Sequence, residues 1–231
     1  MPDTNSLDSN TIDKKVAILK AAISSILPGF AGNLISEIVG SLIPNQQMDR
    51  VVECLKEINS IVEENSTRIR NVEELLSKIT ASKSNLLLFE QTIRYSSQTE
   101  SLIKHHSYAY FIFNVILEKE YDEGEKEYVL KIISELNEIE ILLLIALENV
   151  EHSLDESAFY NKYGKFIQRK SEFGSQEEKD FNSLQDAYFC DLVIKGLAIG
   201  TGAGDGIHKY GITSFGTIVY NAIYDEKFFN A

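Results

Sequence analysis

Val51-Val-Glu-Cys-Leu55-Lys-Glu-Ile58-Asn-Ser-Ile-Val62-Glu-Glu-Asn65-Ser-Thr-Arg-Ile69-Arg-Asn-Val72-Glu-Glu-Leu-Leu76-Ser-Lys-Ile79 is the stretch that decides the fold class. Val51, Leu55, Ile58, Val62, Asn65, Ile69, Val72, Leu76 and Ile79 follow one another at alternating spacings of four and three, which is a heptad seam along one side of a helix. Glu, Lys and Arg flank the seam, and Asn45 or Asp49 stands in place to cap the helix after Pro44. One long helix is therefore predicted, and with it a mainly α-helical protein. Asn65 has two readings. In a coiled coil a buried Asn costs stability but fixes register and strand number, which makes Asn65 with Val51, Leu55, Ile58, Val62, Ile69 and Val72 a candidate seam for a second chain. On a helix that bends, the same side chain simply faces solvent.

Working outward from this seam, a second long helix is expected from Ser84 to about Lys119, folded back antiparallel on the first through Thr80 to Asn85. Tyr108, Tyr110, Phe111 and Phe113 make it apolar nearly all round, as expected of a helix buried centrally or at an interface. The acidic run Glu118 to Glu127, with Gly124 inside it, reads as a turn. The domain boundary is placed there, giving a helical bundle over 1–121 and a second domain over 122–231.

Upstream of the seam, Val16 to Ile43 is unusually apolar and is bent by Pro28-Gly29. Two short helices forming a hairpin are expected. A membrane span needs about 20 consecutive apolar residues, and Lys20, Asn33 and Glu37 interrupt this run. One reading buries the hairpin in the bundle. The other lets Leu34, Ile35, Ile38 and Leu42 enter a bilayer conditionally, as in a membrane-acting effector.

Composition narrows the partners. The 35 acidic residues outnumber the 22 basic ones, for a net charge of −13, which repels a phosphate backbone unless cations gather on one face. Nucleic acid is thus disfavoured, and a protein partner or a second copy is favoured. Cys54 and Cys190 show no ligand spacing and are expected as reduced core thiols of a cytoplasmic protein. The polar, acidic start, Met1 to Asn10, lacks the cationic region of a secretory signal.

In the last third, Asn137 opens a strongly apolar helix, a second helix follows Asp155, and a third covers roughly Glu177 to Ala198. The glycine-rich Gly200 to Gly206, a short strand at Ile207 to Ile212 and a final helix from Thr213 complete the order. Tyr210-Gly-Ile-Thr-Ser-Phe-Gly-Thr-Ile-Val resembles the junction of winged-helix proteins, in which an apolar-Thr-x-x-Gly run closes the wing and opens the last helix. Thr213 is expected to cap that helix and Gly216 to allow close packing.

The resemblance covers about 95 residues. It implies a recognition helix and a basic wing, with Lys195, His208 and Lys209 as the positions to meet a duplex. Here Asp186 and Asp191 share the recognition helix with Lys195, so the charge favours a winged helix that docks protein over one that reads DNA as a transcriptional regulator.

No arrangement for catalysis emerges. The glycines at 200 to 206 lack the Lys-Ser or Lys-Thr of a phosphate loop, and adjacent His105 and His106 diverge by about 100° on a helix, too far to share a metal. Catalytic, cofactor and metal residues are therefore expected to be absent. The overall expectation is a non-enzymatic regulatory or interaction protein, similar by analogy to small bacterial regulators and phage-defence proteins.

Overall fold

In the computed structural model, the residues described are 47–116, 121–149, 158–171, 173–202 and 206–230. The apolar hairpin of 16–43, with Leu34, Ile35, Ile38 and Leu42, lies outside them. The described residues are mainly helical, with a two-stranded antiparallel sheet near the carboxyl end. It divides into two compact units, Met1–Glu127 and Tyr128–Ala231. That division falls within a helix just past the acidic turn.

The first unit holds α1 (Met48–Glu64), α2 (Val72–Thr80), α3 (Lys83–Ser96) and α4 (Leu102–Phe111), which runs on into a π-helical turn, Ile112–Ile116. The long helix predicted over the heptad seam is broken in two. Asn65 ends α1: its side-chain amide and its backbone N–H both donate to the Ile61 carbonyl, at 2.8 and 3.0 Å, while its own carbonyl accepts from Arg68 and Ile69. A side chain that bonds its own helix end competes with helical continuation. Asn71 then caps α2 by accepting from the Glu74 N–H at 2.9 Å.

The seam nevertheless stays buried across the break. Val51, Leu55, Ile58, Val62, Ile69, Val72, Leu76 and Ile79 are all between 0% and 6% exposed, and α1 packs chiefly against α4. These side chains form the unit's own core, and a second chain would meet them only with the unit opened. Asn65 is half-buried at a helix end, with its side chain turned back on the Ile61 carbonyl.

The second predicted helix is also broken, at Ser97–Ser101. Ser97 Oγ donates to the Arg94 carbonyl at 2.7 Å, Thr99 Oγ1 accepts from the Ser101 N–H, and Ser101 caps α4 through the Lys104 N–H. Short hydroxyl side chains in a row offer the backbone local partners, and the helix restarts. Beyond the break the aromatic stretch behaves as expected, with Tyr108, Phe111 and Phe113 buried.

The second unit begins inside α5 (Glu123–Glu135) and continues with α6 (Glu138–Asn149), α7 (Ala158–Ile167), α8 (Gln176–Ile194), β1 (Ala198–Gly200), a 3-10 turn (Gly206–Lys209), β2 (Tyr210–Ile212), α9 (Ser214–Ile223) and α10 (Glu226–Asn230). Every residue from Ile141 to Leu147 is buried, because α7, α8, α9 and β2 all pack around α6. Asn137 and Glu140 form its capping box, each side chain accepting from the other's backbone N–H at 3.0 and 2.8 Å. Phe229 of α10 closes an aromatic cluster with Phe159 and Tyr163 of α7 and with Tyr224.

Candidate interaction surface

Helix α8 ends earlier than its sequence suggests, and the ending positions everything that follows. Gly196 adopts a φ of +74°, a left-handed conformation that glycine takes without strain. Its N–H donates to the Val193 carbonyl and that of Leu197 to the Leu192 carbonyl, both at 2.9 Å, the paired bonds of a Schellman motif. Ala198, expected at the end of the helix, therefore starts β1, which pairs with β2 in the register Ala198 to Ile212, Ile199 to Gly211 and Gly200 to Tyr210.

Thr213 ties the far side of this hairpin back to the corner. Its hydroxyl donates to the Gly196 carbonyl at 2.6 Å and accepts from the Gly216 N–H at 2.9 Å, and its own N–H donates to the Leu197 carbonyl at 3.0 Å. A Cβ on Gly216 would lie 2.1 Å from the Leu197 carbonyl oxygen. Gly216 thus serves the close approach expected of it, against the backbone of the α8–β1 corner. Phe189 of α8 stacks on Tyr210 of β2 with centroids 4.5 Å apart, fixing the hairpin to the helix.

The inward side of α8 carries amides as well as apolar groups. Asn182 exchanges two hydrogen bonds with the backbone of Lys170, at 2.8 and 3.0 Å, and Gln185 donates to the Phe166 carbonyl. Phe189 and Leu192 complete that buried face. The outward side mixes carboxylates with aliphatic side chains. Glu177, Asp180, Leu184, Ala187, Asp191 and Ile194 are all exposed, and they succeed one another at spacings of three and four. Leu184 is 52% and Ile194 81% exposed, and in β1, just past the corner, Ile199 is 58% exposed. Cys190, expected in the core, is exposed on this helix because its neighbours Phe189 and Leu192 take the inward directions.

The cations expected to meet a duplex are placed differently. Lys195 caps the carboxyl end of α8, and its ammonium lies 2.8 Å from the Glu140 carboxylate, whose side chain is only 3% exposed. It is committed to the interior of the unit. Arg169 pairs with Asp186 at 2.7 Å, so the Asp186 charge that argued against phosphate is balanced internally. Lys209 sits at the end of the 3-10 turn, where its carbonyl accepts from the Thr201 N–H. His208 lies in the same turn, and its side chain falls outside those described.

In the first unit, His105 and His106 diverge as their adjacency requires. His105 Nδ1 bonds Ser96 Oγ at 2.9 Å in the core, and His106 Nδ1 lies 3.0 Å from Glu57 Oε2. Burial holds the His105 pKa below the ordinary 6.5 despite the carboxylates of Glu53 and Glu57 nearby. Cys54 beside it is fully buried, and its thiol is pushed up to about 12 by burial. A cavity of about 290 Å³ opens next to His105, lined also by Asp49, Arg50, Glu53, Glu100 and Leu102, with Arg50 and Glu100 ion-paired across it.

Among the described residues no group of three His, Cys, Asp or Glu side chains is placed to hold a metal ion. No described helix is long and apolar enough to cross a membrane. No protein-family model, no curated protein and no solved structure matches the chain.

Proposed function

We propose that this chain is a non-enzymatic interaction protein whose second unit docks another protein on the outward side of α8. The observation that carries this reading is the exposed aliphatic trio Leu184, Ala187 and Ile194, with Ile199 beyond it, on a helix already anchored by its opposite face. Exposing those apolar side chains costs solvation that the fold itself does not require. By the resemblance noted in the sequence, α8 is the helix expected to meet a partner. Its outward side carries carboxylates and aliphatics, and Lys195 is occupied by Glu140. That chemistry suits a protein surface and repels phosphate.

The test is a photo-crosslinking amino acid placed at position 187 in the native cell, with position 87 of the first unit, also exposed, as the control. A discrete adduct is expected from 187 and should vanish on Ile194→Asp. Equal adducts from both positions, or retardation of duplex DNA at low salt that Lys209→Glu abolishes, would reject the reading.

A further inference from the structure

The outward stripe of α8 has a rhythm of its own: Glu177, Asp180, Leu184, Ala187, Asp191 and Ile194 are separated by three, four, three, four and three residues. Such a stripe stays on one side of a helix over its length, and a second helix lying at a shallow angle meets it position by position. From Glu177 to Ile194 it runs roughly 25 Å at 1.5 Å per residue, enough for about five turns of a partner helix. Ala187, between Leu184 and Asp191, is the smallest side chain of the stripe.

The charges choose the partner. Two copies of α8 laid parallel would set Glu177, Asp180 and Asp191 each against itself, and laid antiparallel would set Asp180 against Asp191. Either way carboxylates face one another at a dry seam, which is destabilising. The complement is a helix with cations opposite Glu177, Asp180 and Asp191 and aliphatic side chains opposite Leu184, Ala187 and Ile194. From this geometry we infer that the partner segment is a basic amphipathic helix; this rests on the docking reading above and names the chemistry of what docks.

Three synthetic helices with identical aliphatic faces separate the cases, carrying Lys, Gln or Glu at the three charge positions. Their binding to the full chain is followed by fluorescence anisotropy. The Lys peptide should bind about tenfold or more tighter than the Glu peptide, and Asp180→Lys with Asp191→Lys should reverse the order. Leu184→Asp or Ile194→Asp should weaken the Lys peptide by about tenfold, although each makes the protein more acidic. That sign matters, because general attraction of a cation to an acidic protein would grow with the added carboxylate.

If the Gln peptide binds as tightly as the Lys peptide and both are lost on Ile194→Asp, the docking face stands and the basic partner is wrong. Binding of the Lys peptide that is absent, or unchanged by Leu184→Asp and Ile194→Asp, overturns the inference, and the second of these results overturns the docking face as well. Sedimentation showing a dimer that Ile194→Asp dissociates would assign the stripe to a second copy instead. All the substituted positions are exposed, and an unchanged helical circular dichroism signal confirms that the variants fold.

Discussion

Helices α1 and α8 both bury a stripe at heptad spacing, and the two differ in what the buried and the exposed sides carry. In α1 the regular stripe faces inward, with Val51, Leu55, Ile58 and Val62 buried and Glu53, Lys56 and Glu63 toward solvent. In α8 the buried Asn182, Gln185, Phe189 and Leu192 keep the same spacing, and a second stripe holding Leu184, Ala187 and Ile194 faces outward. The buried side of α8 is held by Asn182 and Gln185 bonding to loop and helix-end carbonyls as much as by Phe189 and Leu192. Periodicity by itself therefore identifies a helix but not the side that is covered. What distinguishes the two is where buried polar groups find partners, since an amide sinks inward only where the backbone of another segment meets it.

The comparison breaks most sharply in the cores. Leu55→Ala should destabilise the first unit by about 2 to 5 kcal/mol, whereas Leu184→Ala should change the second by no more than about 0.5 kcal/mol. Denaturant titration of each variant checks the contrast, and comparable losses would mean that the outward stripe is covered within the chain.

At the corner that ends α8, Gly216→Val should cost about 2 to 4 kcal/mol, because its side chain would drive into the Leu197 carbonyl. Hydrogen exchange should then speed up over 176–223 and stay unchanged over 48–64.

Lys195→Ala should cost about 2 kcal/mol by leaving the Glu140 carboxylate buried without its cation, a figure reduced for the partial exposure of the lysine. Thermal melts read it, and a neutral result would release Lys195 for an outside contact after all.

The smallest effect concerns pH behind α1. His105 takes up a proton less readily folded than unfolded, so its contribution to stability is full above the ordinary value of 6.5 and is lost as pH falls below it. Denaturant midpoints of the first unit should drop on acidification, with a flatter slope in His105→Asn.

The helical class, the burial of the heptad residues, the cap at Thr213 and the close approach at Gly216 were all legible in the sequence, because each depends on local spacing or on one residue's conformational needs. The breaks at Asn65 and Ser97–Ser101 were written there too, in residues whose side chains bond nearby backbone. Seam regularity masked the first and aromatic density the second. The Lys195–Glu140 pair and the outward direction of α8 were not legible, since both depend on segments 55 residues apart in one case and on the packing of Phe166 and Lys170 in the other. Charge counting could not reveal that the Lys195 cation was already engaged by Glu140.

The two cysteines give the outward stripe a built-in reporter. Cys54 is sealed and burial pushes its thiol up to about 12, while Cys190 lies open on α8. A maleimide dye will therefore attach to the native chain at one place, beside Ala187 and Asp191, and anything that settles on the helix will shield that sulfur from alkylation. Occupancy of this surface is thus measurable as a labelling rate on unaltered protein.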